Sequence, residues 1–177
     1  MPLPSYLCRW FLVLYFVSQT SCSPSVNYMT KGELLTNTTR TYSRLPPSTI
    51  LAAADKLLVH VDSSGFRISH EPTSLTAIKQ HYSDEPSGGW RKQEETWVIL
   101  AKPLDEGSLA ILTVERTVST LFGTTTVRPT GPATYAHFWK RLEYFLGLTD
   151  RDTTCTDNQR AIENGETWGE LSWLCET

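Results

Sequence analysis

The sequence has none of the short signatures that usually carry chemistry. No serine sits in a Gly-x-Ser-x-Gly elbow, no glycine-rich run could cradle a phosphate, and no two histidines stand four apart around a glutamate. His60, His70, His81 and His137 fall in separate segments, so none belongs to a zinc pattern. Each reads as a surface or edge histidine, and His70 and His81 could meet only across a hairpin. The adjacent carboxylates Asp84-Glu85 and Glu94-Glu95 read as solvated loop residues rather than catalytic pairs, whose roles require a fixed separation. No catalytic residue, metal or cofactor is assigned. Long apolar runs are also missing. The stretch Trp10 to Val17 holds eight apolar residues, far short of what a ~30 Å hydrocarbon core demands of a helix. Charge of one sign is never gathered into a block, and without a basic patch nucleic acid is excluded as a partner.

Cysteine is scarce as well, and its four positions organise what is present. Arg9, the apolar run Trp10 to Val17 and the small polar residues after it have the layout of a secretory signal, so residues 1–21 are expected to be removed. Cys22 follows Thr20 and Ser21, which suits a bacterial lipoprotein signal, where the cysteine thiol accepts a diacylglycerol and small residues admit the peptidase. Gln19 departs from that pattern, because such signals carry Leu or another aliphatic residue there. Lipidation of Cys22, with the membrane as partner, is the expectation. Ordinary cleavage nearby is the alternative. The remaining 156 residues suit a single domain, with 15 basic against 19 acidic side chains once Arg9 is gone.

Cys8 leaves with the signal, and Cys22 is either acylated or lost, so Cys155 and Cys175 remain as a pair. In an oxidising compartment they are expected to form a disulfide, worth roughly 3 kcal/mol in the chain-entropy model. Two free thiols, or a bond to another chain, are the alternatives. Asp157, Arg160, Glu163, Asn164 and Gly165 make the intervening segment polar, and such a segment gains little order from burial.

Residues 22–47 are rich in Ser, Thr and Asn, lack periodicity, and read as a flexible tether. The sequon Asn37-Thr38-Thr39 would matter only in a eukaryotic secretory pathway. After Pro46-Pro47, with Ser48 or Thr49 as cap, a helix is expected to about Val61, with Ile50, Leu51, Ala54, Leu57, Leu58 and Val61 on one face. Phe66 to His70 and Leu75 to Tyr82 read as a hairpin, and Ser83 to Glu95 as an exposed loop. Thr96 to Lys102 and Ser108 to Val118 form a second hairpin, and Thr124 to Val127 supplies a fifth strand. Both alternating faces of the second hairpin are partly apolar, so the face away from the helices is expected to be covered by the tail or by another protein. Gly131-Pro132 opens a second helix whose stripe includes Tyr135, Phe138, Trp139, Leu142, Phe145 and Leu146, with Lys140, Arg141 and Glu143 elsewhere. The stripe reads first as core, and Tyr135, Phe138, Trp139 and Leu142 are the candidate lining of an apolar pocket.

The expected architecture is α+β: an antiparallel four- to five-stranded meander flanked by two helices (α-β-β-β-β-α) over residues 48–148, followed by a disulfide-closed tail at 149–177. The run Phe138 to Gly147 followed by Cys155 and Cys175, together with Ala52-Ala53-Ala54-Asp55 and Gly65-Phe66, resembles a group of uncharacterised, exported, lipoprotein-like proteins of Gram-negative bacteria. That resemblance spans most of residues 48–175 and implies an envelope location with no established activity. The expected function is a non-catalytic interaction or structural module held on the periplasmic side of a bacterial membrane, in contact with another envelope protein. A module for a small apolar ligand is second, and an enzyme third.

Overall fold

The structure is a computed structural model that describes residues 29–62, 65–84, 89–128 and 132–153. The signal segment, Cys22, Cys155 and Cys175 lie outside the described residues. In chain order the elements are α1 (Lys31–Thr38), β1 (Thr39–Ser43), α2 (Pro47–Val61), β2 (Phe66–His70), β3 (Ser74–Asp84), β4 (Trp90–Leu104), β5 (Gly107–Thr120), β6 (Gly123–Val127) and α3 (Pro132–Phe145). The class is α+β, with three helices and one antiparallel sheet of six strands, in the order β1-β5-β4-β3-β2, among the described residues. Strand β6 pairs with the second half of β5, on the edge whose first half takes β1.

Helix α2 forms where its apolar spacing predicts. Its buried residues are the six expected ones plus Ala53. Pro46 is the N-cap and supplies no side-chain hydrogen bond, so neither Ser48 nor Thr49 caps the helix; the fixed φ of Pro47 at the first position starts it instead. Asp62 ends it, accepting the Gly65 N–H at 2.7 Å and pairing with Lys79 at 2.9 Å. At the other end of the chain, α3 terminates at Gly147, whose φ of 70° lets the Leu148 N–H reach the Glu143 carbonyl at 2.9 Å.

The core lies between the sheet and these helices. Leu75 and Ala77 of β3, Trp97, Ile99 and Ala101 of β4, and Ala110, Leu112 and Val114 of β5 alternate inward and are buried under α2 and α3. The Trp97 and Phe138 rings meet at 5.8 Å, linking α3 to the centre of the sheet.

Two segments depart from the sequence expectation. Residues 31–43, placed in the tether, form α1 and β1. A capping box of Thr30 and Glu33 starts α1, the Asn37 carbonyl accepts the Trp139 indole N–H at 2.7 Å, and β1 pairs with β5 from Thr39↔Ile111 to Ser43↔Gly107. No residue of α1 is buried and only Tyr42 of β1 is, so hydrophobic periodicity had nothing to register. Glycine is required at 107: its φ is 141°, and a Cβ there would stand 2.1 Å from the Tyr42 carbonyl oxygen.

The second departure is the expected loop from Ser83 to Glu95. Strand pairing continues to Asp84↔Trp90, so β3 and β4 run well past the apolar stretch. Polar contacts line this extension, Gln80 with Glu94 across the two strands and Lys92 with Glu94 along β4. Polar residues on both faces give no apolar alternation, and the ladder is carried by backbone hydrogen bonds.

The face under the helices and the face that no described helix covers should respond differently to mutation. Trp97→Ala, in the packed centre, is expected to cost about 3–5 kcal/mol, whereas Val98→Thr on the opposite face should cost under about 1 kcal/mol. Urea unfolding of both variants measures this, and similar losses would contradict the one-sided core.

Candidate functional site

The aromatic residues named as a pocket are packed. Tyr135, Phe138, Trp139 and Leu142 are each 0–1% exposed, their surfaces taken up by α1, α2 and the sheet. Burial pushes the Tyr135 hydroxyl above its ordinary pKa, with the Arg128 charge opposing. Arg141, expected to point away, is buried instead. Its Nε and a terminal nitrogen donate to the two carboxylate oxygens of Asp152 at 3.2 and 3.1 Å, fastening the chain after α3 back onto the helix.

The histidines are not brought together. His70 lies opposite Leu75 and His81 opposite Gln93, roughly 20 Å apart at strand rise. His70 instead faces Asp55 of α2 at 3.2 Å, and the His60 ring lies 5.5 Å from that of Phe145. His137 is buried within α3's inner face. Among the described residues no group of three or more His, Cys, Asp or Glu could hold a metal ion.

Strand alternation also separates Glu94 from Glu95. Glu94 takes the outer face, where hydrogen bonds from Lys92 and then Gln80 hold its carboxyl below the usual range. Glu95 takes the helix face and is only 5% exposed. Its Oε1 accepts Arg116 Nε at 2.7 Å, a second Arg116 nitrogen, and Gln93 Nε2 at 3.4 Å. Burial raises its pKa, and the Arg116 charge and hydrogen bonds offset part of that rise. The signal was present in the sequence. Extending the β4 alternation backwards from Ala101, Ile99 and Trp97 reaches Glu95, and the loop reading concealed it.

The helix-free face of the sheet is different in kind. Val98 lies between Thr76 and Thr113, Leu100 between Ser74 and Ile111, and Leu109 between Lys102 and Thr41. With Ile78 beside Thr96, these aliphatic side chains form a half-exposed band framed by threonines. None of the described helices packs on it, whereas Leu75, Ala77, Trp97, Ile99, Ala101, Ala110, Leu112 and Val114, which point the other way on the same strands, are buried. The tail expected as one possible cover is described only to residue 153. An open groove of about 630 Å³ lies at the β4–β5 turn between Arg44–Pro47 and Pro103–Gly107.

The buried ion pair predicts a pH dependence. Because folding raises the Glu95 pKa above its value in the unfolded chain, the folded state holds this proton to higher pH. The Glu95 contribution to stability is therefore fully present below the unfolded value near 4.5 and is lost as pH rises through the folded value. Relative to Glu95→Gln, the unmodified protein should lose stability as pH is raised through and above 4.5. Denaturation midpoints of both proteins across pH 4 to 8 measure this, and a difference that does not move with pH, or moves the other way, contradicts it.

No protein-family model matches the sequence, and no curated protein matches it. Among solved structures, the chain is similar to a DUF4468 family protein from Bacteroides ovatus, at 10% sequence identity and a TM-score of 0.41, over 73% of this chain and 95% of that one.

Proposed function

We propose that this protein is a non-catalytic module of the bacterial cell envelope, exported, anchored through lipid on Cys22, and in contact with another envelope protein through the outer face of its sheet. The observation that supports this reading is the half-exposed band of Ile78, Val98, Leu100, Leu109 and Ile111 on strands whose inward residues at the same level, Ala77, Trp97, Ile99, Ala110 and Leu112, are buried. A contiguous apolar surface of that kind costs solvation unless something covers it, and covering it is the usual use of such a surface. The anchor rests on the signal layout before Cys22. Seven Cα steps separate Cys22 from Met29, the first described residue, a span of at most about 25 Å. A lipid at Cys22 would hold the domain against the bilayer, where its partners would be membrane-bound or membrane-proximal.

A photo-crosslinking residue placed at Val98 or Ile111 should give a defined adduct in intact envelopes, while the same residue at Ala52 on the exposed side of α2 should not. Absence of adducts from both sheet positions would overturn the contact. Intact mass of the membrane fraction should show a diacylglyceryl-modified Cys22 at the mature N-terminus, and a start downstream of Cys22 would overturn the anchor.

A disulfide between Cys155 and Cys175 belongs to the same proposal. Non-reducing peptide mapping of the exported protein should recover the two cysteines linked, and quantitative alkylation of both without reductant would refute the pairing.

A further inference from the structure

The turn joining β5 to β6 is two residues long, and both are large and apolar. Leu121 is 61% exposed and Phe122 96% exposed. Two-residue hairpin turns usually hold Asn, Asp or Gly, because their backbone often needs positive φ and their side chains point into water. Here neither residue has positive φ. Gly123 takes that conformation at 146°, and the Thr120 hydroxyl accepts the Phe122 N–H at 3.2 Å. The backbone therefore asks nothing of Leu121 or Phe122.

Strand register gathers a second set of side chains just behind this apex. Arg91 lies opposite Thr120, Lys92 between Ser119 and Tyr82, and Trp90 opposite Asp84. Trp90 and Tyr82 are 46% and 64% exposed, and the Lys92 ammonium stands 5.9 Å from the Tyr82 ring centroid. Among the described residues Asp84 and Glu94 are the nearby acidic groups, and Glu94 is paired with Lys92 at 3.0 Å. Two side chains at a hairpin tip can sink into a fluid without a complementary pocket. Tryptophan, tyrosine and long cations one step behind are the groups that favour the headgroup layer, where an apolar body and a polar end are both satisfied.

We propose that this end of the sheet inserts into the surface of a bilayer containing anionic lipid, with Leu121 and Phe122 as the wedge, Trp90 and Tyr82 at headgroup level, and Arg91 and Lys92 against lipid phosphates. The inference deepens the envelope reading and rests on its placement of the domain beside a membrane. The short span from Cys22 to the first described residue brings the domain within reach of such contact. Among the described residues no helix is long and apolar enough to cross a membrane.

The test compares the full chain with its Leu121→Asn/Phe122→Asn variant for co-sedimentation with vesicles of phosphatidylcholine alone and with added phosphatidylglycerol. The variant should partition about tenfold less or weaker still, as expected for losing two buried apolar side chains, with an unchanged thermal unfolding midpoint. Arg91→Gln/Lys92→Gln should weaken binding to the anionic vesicles more than to the neutral ones. Brominated lipid should quench an emission component that Trp90→Phe removes. A lipid on Cys22 raises binding of parent and variants alike and is read separately by intact mass, so failure of the anchor leaves the ratio between parent and tip variant interpretable. Equal partitioning of parent and tip variant overturns the proposal. So does a tip variant that loses self-association in solution while keeping its vesicle affinity, which would assign the apex to a protein contact.

Discussion

Strand β4 points Glu95, Trp97, Ile99 and Ala101 at the helices and Glu94, Thr96, Val98 and Leu100 away from them, and each neighbouring strand inherits that division through its register. A shift of one residue would exchange the two sets and expose Trp97 to water. The long pairings of β4 with β3 and β5 lock the register, and the described helices seal the result by covering one side. The buried ion pair, the packed aromatic stripe of α3 and the half-exposed aliphatic band all follow from that single alternation.

What the sequence disclosed tracks what each residue buries. Helix α2, the two hairpins and the stripe on α3 were legible because Ile50, Leu57, Trp97, Leu112 and Phe138 repeat at helical or strand spacing and are fully buried. Helix α1 and strand β1 were not, since their attachments are a capping box, a backbone carbonyl and a ladder of main-chain hydrogen bonds that local hydrophobic patterning does not encode. The extension of β3 and β4 was hidden for a related reason. Its side chains include Ser83, Asp84, Lys92, Gln93 and Glu94, the composition of a loop, and pairing across strands gives them their order.

The candidate sites divide along the same line. Sequence spacing correctly gathered Tyr135, Phe138, Trp139 and Leu142 onto one face, but only packing could tell a lining from a core. The Glu95–Arg116 pair joins residues on neighbouring strands whose register had to be known first. Exposure at the β5–β6 tip was likewise unreadable, because Leu121-Phe122 in a linear sequence looks like the apolar end of a strand. These surfaces become conspicuous only when the positions that the fold needs to be apolar have been separated from those it does not.

Strand β1 also imposes an order on folding. Thr39 must pair with Ile111, a partner made long after it during synthesis, while β2 through β5 assemble from neighbours in sequence. Closing that distant pairing is entropically slow compared with the local hairpins. The first half of β5 therefore spends the early life of the chain as an unprotected edge, with its main-chain donors and acceptors available to any other extended strand. A nascent chain delayed at that stage is a template for mispairing, and the arrival of Thr39–Ser43 is the step that ends the hazard.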